Sequence, residues 1–390
     1  MTQPTSIPHY DVIILGAGSV GTPSAMYLAE AGYKVLVLDP GASVGQGSNK
    51  KAIGGIRATH SDPAKIRLCL RSLEIFSNWE KWYGEDIEWV QNGYLFMAYR
   101  EREQKILKDL LVTQKSYGLN IDWYDPQQLL GIVPDLNPEG LLGGTFSPED
   151  GSASPLLSAH RFYEHACRAG AEFHFHEPVT KMITRSGKIV GVETPAGTYG
   201  ADVVINAAGA WARPVAQLVG VDVPVNPDSH ESAVTEAVAD FLKPMIVDIR
   251  PMPGSSNYYF YQHRTGQIFF CITPSPNIWG FDTEETSEFL PMVTRRMVEV
   301  MPRLKNLRVR RTWRGLYPMT PDGFPIVGWA EGVENFLLAV GMCGQGYMLG
   351  PGLGELILRL VQNQLTENDH ETLSFLKPTR QFACIIYYRH

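Results

Sequence analysis

Gly16, Gly18 and Gly21 stand at the spacing G-x-G-x-x-G, which suits the holding of a phosphate. The first glycine permits a tight turn, the second lets a pyrophosphate approach the backbone, and the third lets a helix pack closely on a strand. Ser19 and Val20 fill the turn, and the positive end of the following helix faces the phosphates. Asp39 closes the next apolar run, where a carboxylate hydrogen-bonds a ribose hydroxyl, and Pro40 follows it. An arginine there would have suited a 2′-phosphate. The motif by itself leaves NAD and FAD both open.

Such a turn needs a strand before it and a second strand after its helix. Tyr10–Leu15 is a β-rich apolar run, a helix-period stretch reaches Ala31, and Lys34–Asp39 is apolar again, which together read as a βαβ unit. A Gly/Ser-rich loop spans Gly41 to Gly55, and Asp62-Pro63 supplies an N-cap and an N1 proline for a helix to about Trp82. The runs Ile87–Tyr99 and Asn257–Ile272, with turn residues Arg264-Thr265-Gly266, alternate as antiparallel strands do. Ala201–Gly209 returns to a buried strand ending in small residues. Phe336–Val340 is another strand, and glycines crowd the start of a helix expected from about Gly352. The fold expected is α/β (α+β): a Rossmann-like dinucleotide-binding domain from segments 1–88, 150–225 and 320–380, and a mostly antiparallel-sheet substrate domain from 89–149 and 226–319. A tail occupies 381–390, with an edge strand or packed segment as its simplest reading.

Composition narrows the function classes. The 390 residues are 44% hydrophobic and 19% charged, the balance of a globular chain with room for two domains. The net charge of -7 argues against a nucleic-acid partner, which needs a positive surface. Five cysteines without a C-x-x-C pair suggest neither a disulfide framework nor a metal site, and fit a reducing cytoplasm. No basic-then-apolar leader opens the sequence, and no run reaches the roughly 20 apolar residues of a transmembrane span.

Further stretches are read together with the opening unit: the loop from Gly47-Ser48 to Gly54-Gly55-Ile56-Arg57, D-V-V-I-N-A-A-G-A-W (Asp202–Trp211), G-L-Y-P-M-T-P-D-G-F-P-I-V-G (Gly315–Gly328) and G-M-C-G-Q-G-Y-M-L-G-P-G-L-G-E (Gly341–Glu355). In this order the chain resembles the D-amino-acid oxidase family of FAD-dependent oxidoreductases, in the branch of sarcosine oxidase, glycine oxidase and the proline dehydrogenase β-subunit. The resemblance covers about Asp11 to Leu376. It implies noncovalent FAD, bound by the residues already named and by Val179, Ala207, Ala208, Gly209, Trp211, Gly344, Gln345, Gly346, Tyr347 and Met348, under a roof formed by the antiparallel sheet. Relatives place an arginine near the flavin ring where this chain has Arg57. Glycines Gly350–Gly354 would bring backbone N–H groups to the flavin, whose reduced form carries negative charge.

The resemblance implies oxidation of the C–N bond of a small amine or amino acid, a secondary amine such as sarcosine or proline included. A hydride equivalent passes to flavin N5 and the imine hydrolyses. Candidate reaction residues are Tyr317, Tyr259, Tyr261, His60 and Arg314. Tyr317 matches a tyrosine lining the pocket in sarcosine oxidase-like relatives, whereas glycine oxidase-like relatives have a carboxylate-binding arginine there. His60 and Met348 stand where sarcosine oxidases use an arginine and a lysine. His60, when protonated, and Arg314 are therefore the cations available to a substrate carboxylate. Gly315 replaces the cysteine that binds flavin covalently in some relatives, and Cys343 reads as a small buried thiol. Lys243, the lysine between Asp202 and Val300, precedes the expected roof strands, which favours a dehydrogenase passing electrons to another carrier over an oxidase. Two alternatives stay open: a FAD-dependent 2-hydroxy-acid dehydrogenase, and a FAD-binding subunit of a larger electron-transfer complex. The partners expected are an amine substrate and an electron acceptor, with an oligomer or complex possible.

Overall fold

A computed structural model describes residues 7–382, so the expected tail 381–390 lies almost wholly outside the described residues. Among these, residues up to Lys50, Pro155–Pro227 and those from Tyr317 onward form one unit, and Lys51–Ser154 with Asp228–Leu316 form the other.

In the first unit, β1 (His9–Leu15), α1 (Gly21–Glu30) and β2 (Val35–Leu38) realise the opening βαβ expectation. Val12, Ile13 and Ile14 are fully buried, and all four residues of β2 are buried, as in a parallel sheet covered on both faces. The strands Ile326–Trp329, Phe336–Val340, Gly197–Asn206, β1, β2 and Glu172–His174 lie in that order, with Lys188–Thr194 and Lys181–Arg185 extending antiparallel from Gly197–Asn206. β1 is parallel to both neighbours, and Leu15 stands level with Leu38 on one side and Asn206 on the other. The next residues, Gly16, Asp39 and Ala207, therefore emerge together at the carboxyl ends of three strands, where open α/β sheets bind ligands.

The second unit is built on a mostly antiparallel sheet in the order Val309–Met319, Asn226–Ala237, Gln267–Pro274, Ser255–Gln262, Met245–Asp248, Tyr94–Ala98, Gly143–Ser147 and Asp122–Tyr124. Met245–Asp248 and Tyr94–Ala98 pair in parallel. One face, with Tyr258, Phe260, Ile268 and Phe270, packs with the helix Phe289–Val300. The opposite face presents Tyr94, Met245, Tyr261, Cys271 and Trp313. Alternation along each strand produces these two separate surfaces.

Two expectations change. Residues 51–88 and 150–154 group with the second unit, because Gly55–Ile56 pairs with Gly151–Ser152 and Ala153 N–H donates to the Gly54 carbonyl. The late helix runs Gly346–Val361 and so begins before Gly352, with Pro351 inside it. Its glycines serve helix packing: a Cβ on Gly350 would stand 1.8 Å from the Ser19 carbonyl oxygen, and one on Gly354 would stand 3.0 Å from Pro23.

Candidate functional site

The glycine turn of the first unit assigns its three roles in the expected order. Gly16 has φ +111°, and a Cβ there would meet the Ala207 carbonyl oxygen at 2.6 Å. A Cβ on Gly21 would stand 1.8 Å from the Gly16 carbonyl oxygen, which enforces close packing of helix on strand. A Cβ on Gly18 would meet nothing within 4 Å, so that side of the backbone faces open space. No side chain caps α1 and its first turn holds no acid, leaving its positive end for an anion. The Asp39 carboxylate accepts the Ala17 N–H at 2.7 Å and the Gly41 N–H at 2.6 Å, one on each oxygen. It thus locks the turn and retains a lone pair on each oxygen for a ribose hydroxyl.

The structure places the other expected cofactor residues of the same unit as follows. The Ala207 N–H donates to the Leu15 carbonyl at 3.0 Å, and the Ala208 N–H to Asn206 Oδ1 at 3.1 Å, just before Gly209 and Trp211. A Cβ on Gly47 would lie 3.9 Å from the Trp211 ring. Ser48 opens a short 3-10 turn in which Asn49 Nδ2 donates to the Pro155 carbonyl at 2.8 Å, while Asn49 Oδ1 is buried with no partner among the described residues. Gln345 begins the Gly346–Val361 helix, which also lacks a side-chain cap, and its Oε1 is likewise buried and unpartnered. A Cβ on Gly344 would stand 2.1 Å from the Tyr317 ring, and one on Gly346 would stand 3.1 Å from Ser19 Oγ. The Tyr347 hydroxyl bonds Ser158 Oγ at 2.9 Å, Met348 is half-buried in the next turn, and Val179 packs against the sheet core. Pro40 is exposed. An open glycine backbone, two uncapped helix starts and two orphaned amide oxygens fit a long dinucleotide with phosphates and hydroxyls.

In the second unit, Gly54, Gly55 and Ile56 lead into Arg57. Gly55 has no room for a side chain: a Cβ would stand 1.8 Å from the Tyr94 hydroxyl. Arg57 Nη1 donates to the Thr59 carbonyl and lies 3.4 Å from His60 Nδ1, and the guanidinium stacks 5.4 Å from the Phe96 ring centroid. No acceptor among the described residues meets its Nε or Nη2. One edge is anchored and the other is presented, the geometry for a planar or anionic ligand.

His60 corrects an expectation. It is 4% exposed, and burial, with Arg57 and Lys65 nearby, pushes its pKa well below the usual histidine value. It is neutral at pH 7 and supplies no cation for a carboxylate. Its Nδ1 lies 3.4 Å from Arg57 Nη1 and its Nε2 lies 3.4 Å from Cys69 Sγ. Its role is to prop the guanidinium.

Along the second unit's opposite face, register aligns Phe96 with Val247, Val247 with Tyr259, Tyr259 with Cys271 and Cys271 with Ser232. Tyr259 is half-buried and Tyr261 shares its face, as alternation requires. Tyr261 is the second correction: it is buried and its hydroxyl donates to the Ile53 carbonyl at 2.5 Å, so it holds the loop before Arg57 and offers no donor to substrate. Arg314 is the third. It is 3% exposed, and its Nη1 donates to Asp282 Oδ2 at 2.9 Å and the Glu284 carbonyl at 3.0 Å, fastening a loop. Tyr317 belongs to the first unit and is half-buried. Lys243 is exposed and ion-paired with Asp240. The Cys343 thiol is buried, 3.1 Å from the Gly341 carbonyl oxygen.

The sequence reading missed two groups. Asp228 and His230 form a buried pair, with His230 Nε2 3.0 Å from Asp228 Oδ2. Histidine, amide and backbone donors, the last from Ile278 N–H at 2.7 Å, hold the Asp228 carboxyl below its usual range against the opposing effect of burial, the largest influence on it. The D-x-H spacing on a strand, two residues apart on one face, was the available signal. Asp150, wholly buried beside Ala58, sits in E-D-G, which gave no signal beyond a turn.

The family model for FAD dependent oxidoreductases matches residues 11–360. The mitochondrial dimethylglycine dehydrogenase of Rattus norvegicus is 27% identical over 376 residues, covering 91% of this chain and 44% of that protein. The chain thus spans less than half the length of that relative. Glycine oxidase of Geobacillus kaustophilus is 25% identical, with 93% of this chain and 95% of that protein covered. The crystal structure of L-proline dehydrogenase from P. horikoshii superposes with a TM-score of 0.89 at 28% identity, over 95% of this chain and 97% of that one. No helix among the described residues is long and apolar enough to cross a membrane. The chain belongs to the D-amino-acid oxidase family of FAD-dependent oxidoreductases.

Proposed function

We propose that this chain oxidises the C–N bond of a small amine or amino acid, a secondary amine among them, to an imine that water hydrolyses. The observation that carries the reading is Arg57: a guanidinium pinned along one edge and presented along the other, on a face whose next row is aromatic, in a chain of this family. The substrates in the names of the relatives above, dimethylglycine, glycine and proline, share a C–N bond next to a carboxylate and support the same class.

Bound FAD supplies the two-electron acceptor. In the first unit, Gly16, Gly18, Gly21 and Asp39 hold the dinucleotide and fix its position. In the second, Arg57 hydrogen-bonds the ring or a carboxylate, and Phe96, Val247 and Tyr259 exclude water from the reacting carbon. An ammonium cannot release hydride until it has lost a proton. Gly315, packed on Lys51, presents no thiol.

Anaerobic mixing of the yellow holoenzyme with sarcosine, proline, glycine, dimethylglycine and matched 2-hydroxy acids tests the proposal. It expects the visible flavin band to bleach with at least one amine and with no hydroxy acid. Bleaching by hydroxy acids alone would replace C–N with C–O oxidation, and no bleaching by any of them would end the reading.

A further inference from the structure

The reaction above makes no use of Asp150, the carboxyl buried deepest beside Arg57. Asp150 is 0% exposed and immediately precedes Gly151–Ser152, the strand that pairs with Gly55–Ile56. Its Oδ1 accepts the Ala58 N–H at 2.9 Å, one residue beyond Arg57. Its Oδ2 is buried with no hydrogen-bond partner among the described residues. The groups around it are few. The charge of Arg57, one residue before Ala58, acts on it, and the Thr59 and Ser147 side chains act on it as donors. Cys69 of the helix α2 (Pro63–Tyr83) and Tyr94 feel its charge, and Asp62 and Lys65 act on Cys69 from the start of that helix. His60, neutral, bridges Arg57 and Cys69.

We propose that Asp150 is a positioning residue for Arg57: it pins the turn that aims the guanidinium, and its proton sets the net charge around Arg57 and so the flavin's readiness to accept electrons. The proposal rests on Arg57 serving the flavin as described above. An ionised carboxylate oxygen without a donor is costly in a buried place, whereas a protonated one is not. Burial accordingly pushes the Asp150 carboxyl up to about 7, against the opposing pull of the Ala58 amide and Arg57. Below that pH Asp150 is neutral and the Arg57 charge stands uncompensated, which favours an electron-rich flavin. Above it the carboxylate offsets Arg57 and the potential falls.

The test is a pH titration of the flavin absorption spectrum and midpoint potential in substrate-free holoenzyme, for wild type, Asp150→Asn and Cys69→Ser. Asparagine keeps an acceptor for Ala58 and removes the charge. The expected result is an inflection near pH 7 in wild type and Cys69→Ser that is absent in Asp150→Asn. An inflection surviving in Asp150→Asn would overturn the proposal. Infrared titration of the wild-type carboxylic-acid C=O band reads the proton without using the flavin, so it decides even where the variant does not fold. A band that does not titrate around neutrality overturns the proposal, as does a titrating band with an unresponsive flavin. A responsive flavin that no amine bleaches upholds the proposal and sinks only the reaction assigned above.

Discussion

The glycine cradle of the first unit and the Arg57 face of the second are built from different materials. Gly16, Gly18 and Gly21 act through the absence of side chains, and a methyl group at two of them would overlap backbone oxygens that cannot move aside. Arg57 acts through a side chain whose aim depends on Thr59, His60 and Phe96, contributed by a turn and a distant strand. The first is a steric device tolerating almost no substitution, and the second is an electrostatic one open to graded change. The account therefore expects mutations in the cradle to abolish cofactor retention and mutations on the face to spare it while slowing reduction.

The largest effect is expected at Gly21. Gly21→Val drives carbon into the Gly16 carbonyl, an overpacking cost of about 3 kcal/mol or more, and FAD retained through gel filtration should fall to background. A variant that stays yellow would remove the steric basis of the cradle. Next comes Arg57→Gln. Losing a preorganised charged donor costs about 3 kcal/mol at a developing charge, so stopped-flow reduction should slow by about a hundredfold while FAD content stays normal. Loss of FAD together with rate would mean that the two regions do not divide the work.

Stability against pH sharpens the contrast. The Asp150 carboxyl titrates at about 7 in the folded protein and near 3.9 unfolded. Between these values the native state binds more protons, so wild type loses stability as pH rises through that window. Asp150→Asn is free of this loss. Its melting temperature relative to wild type should therefore climb from about pH 4 to pH 7 and then level. A difference independent of pH would contradict the buried protonated carboxyl. The smallest effect is expected at Tyr261. Tyr261→Phe removes the bond to the Ile53 carbonyl and should cost about 1 kcal/mol in denaturant unfolding, with the substrate KM little changed. A large rise in KM would return the hydroxyl to the substrate.

The same contrast governs what the sequence made legible. The βαβ unit, the Asp62 cap on the Lys65 N–H and the 264–266 turn are local, written in neighbouring residues, and the structure forms each of them. The late glycines misled because Gly350 and Gly354 answer to α1, hundreds of residues earlier in the chain, and glycine at a helix contact looks like glycine at a helix start. Arg314 and Tyr261 looked like donors to substrate because nothing local reveals that Asp282 and Ile53 consume them. His60 kept its place near Arg57 and lost its charge, since burial is a property of the packed molecule. Asp150 escaped notice because a carboxylate in a turn is ordinarily solvated. Family resemblance supplied the cofactor, and long-range packing supplied the surroundings of Arg57.

The division of labour is tested most directly by titrating FAD into the apoproteins of wild type, Gly21→Val and Arg57→Gln and following each with an anaerobic amine pulse. The account predicts saturable binding and bleaching in wild type, no binding in Gly21→Val, and wild-type binding with strongly slowed bleaching in Arg57→Gln. Tight binding by Gly21→Val, or unimpaired bleaching by Arg57→Gln, would contradict it.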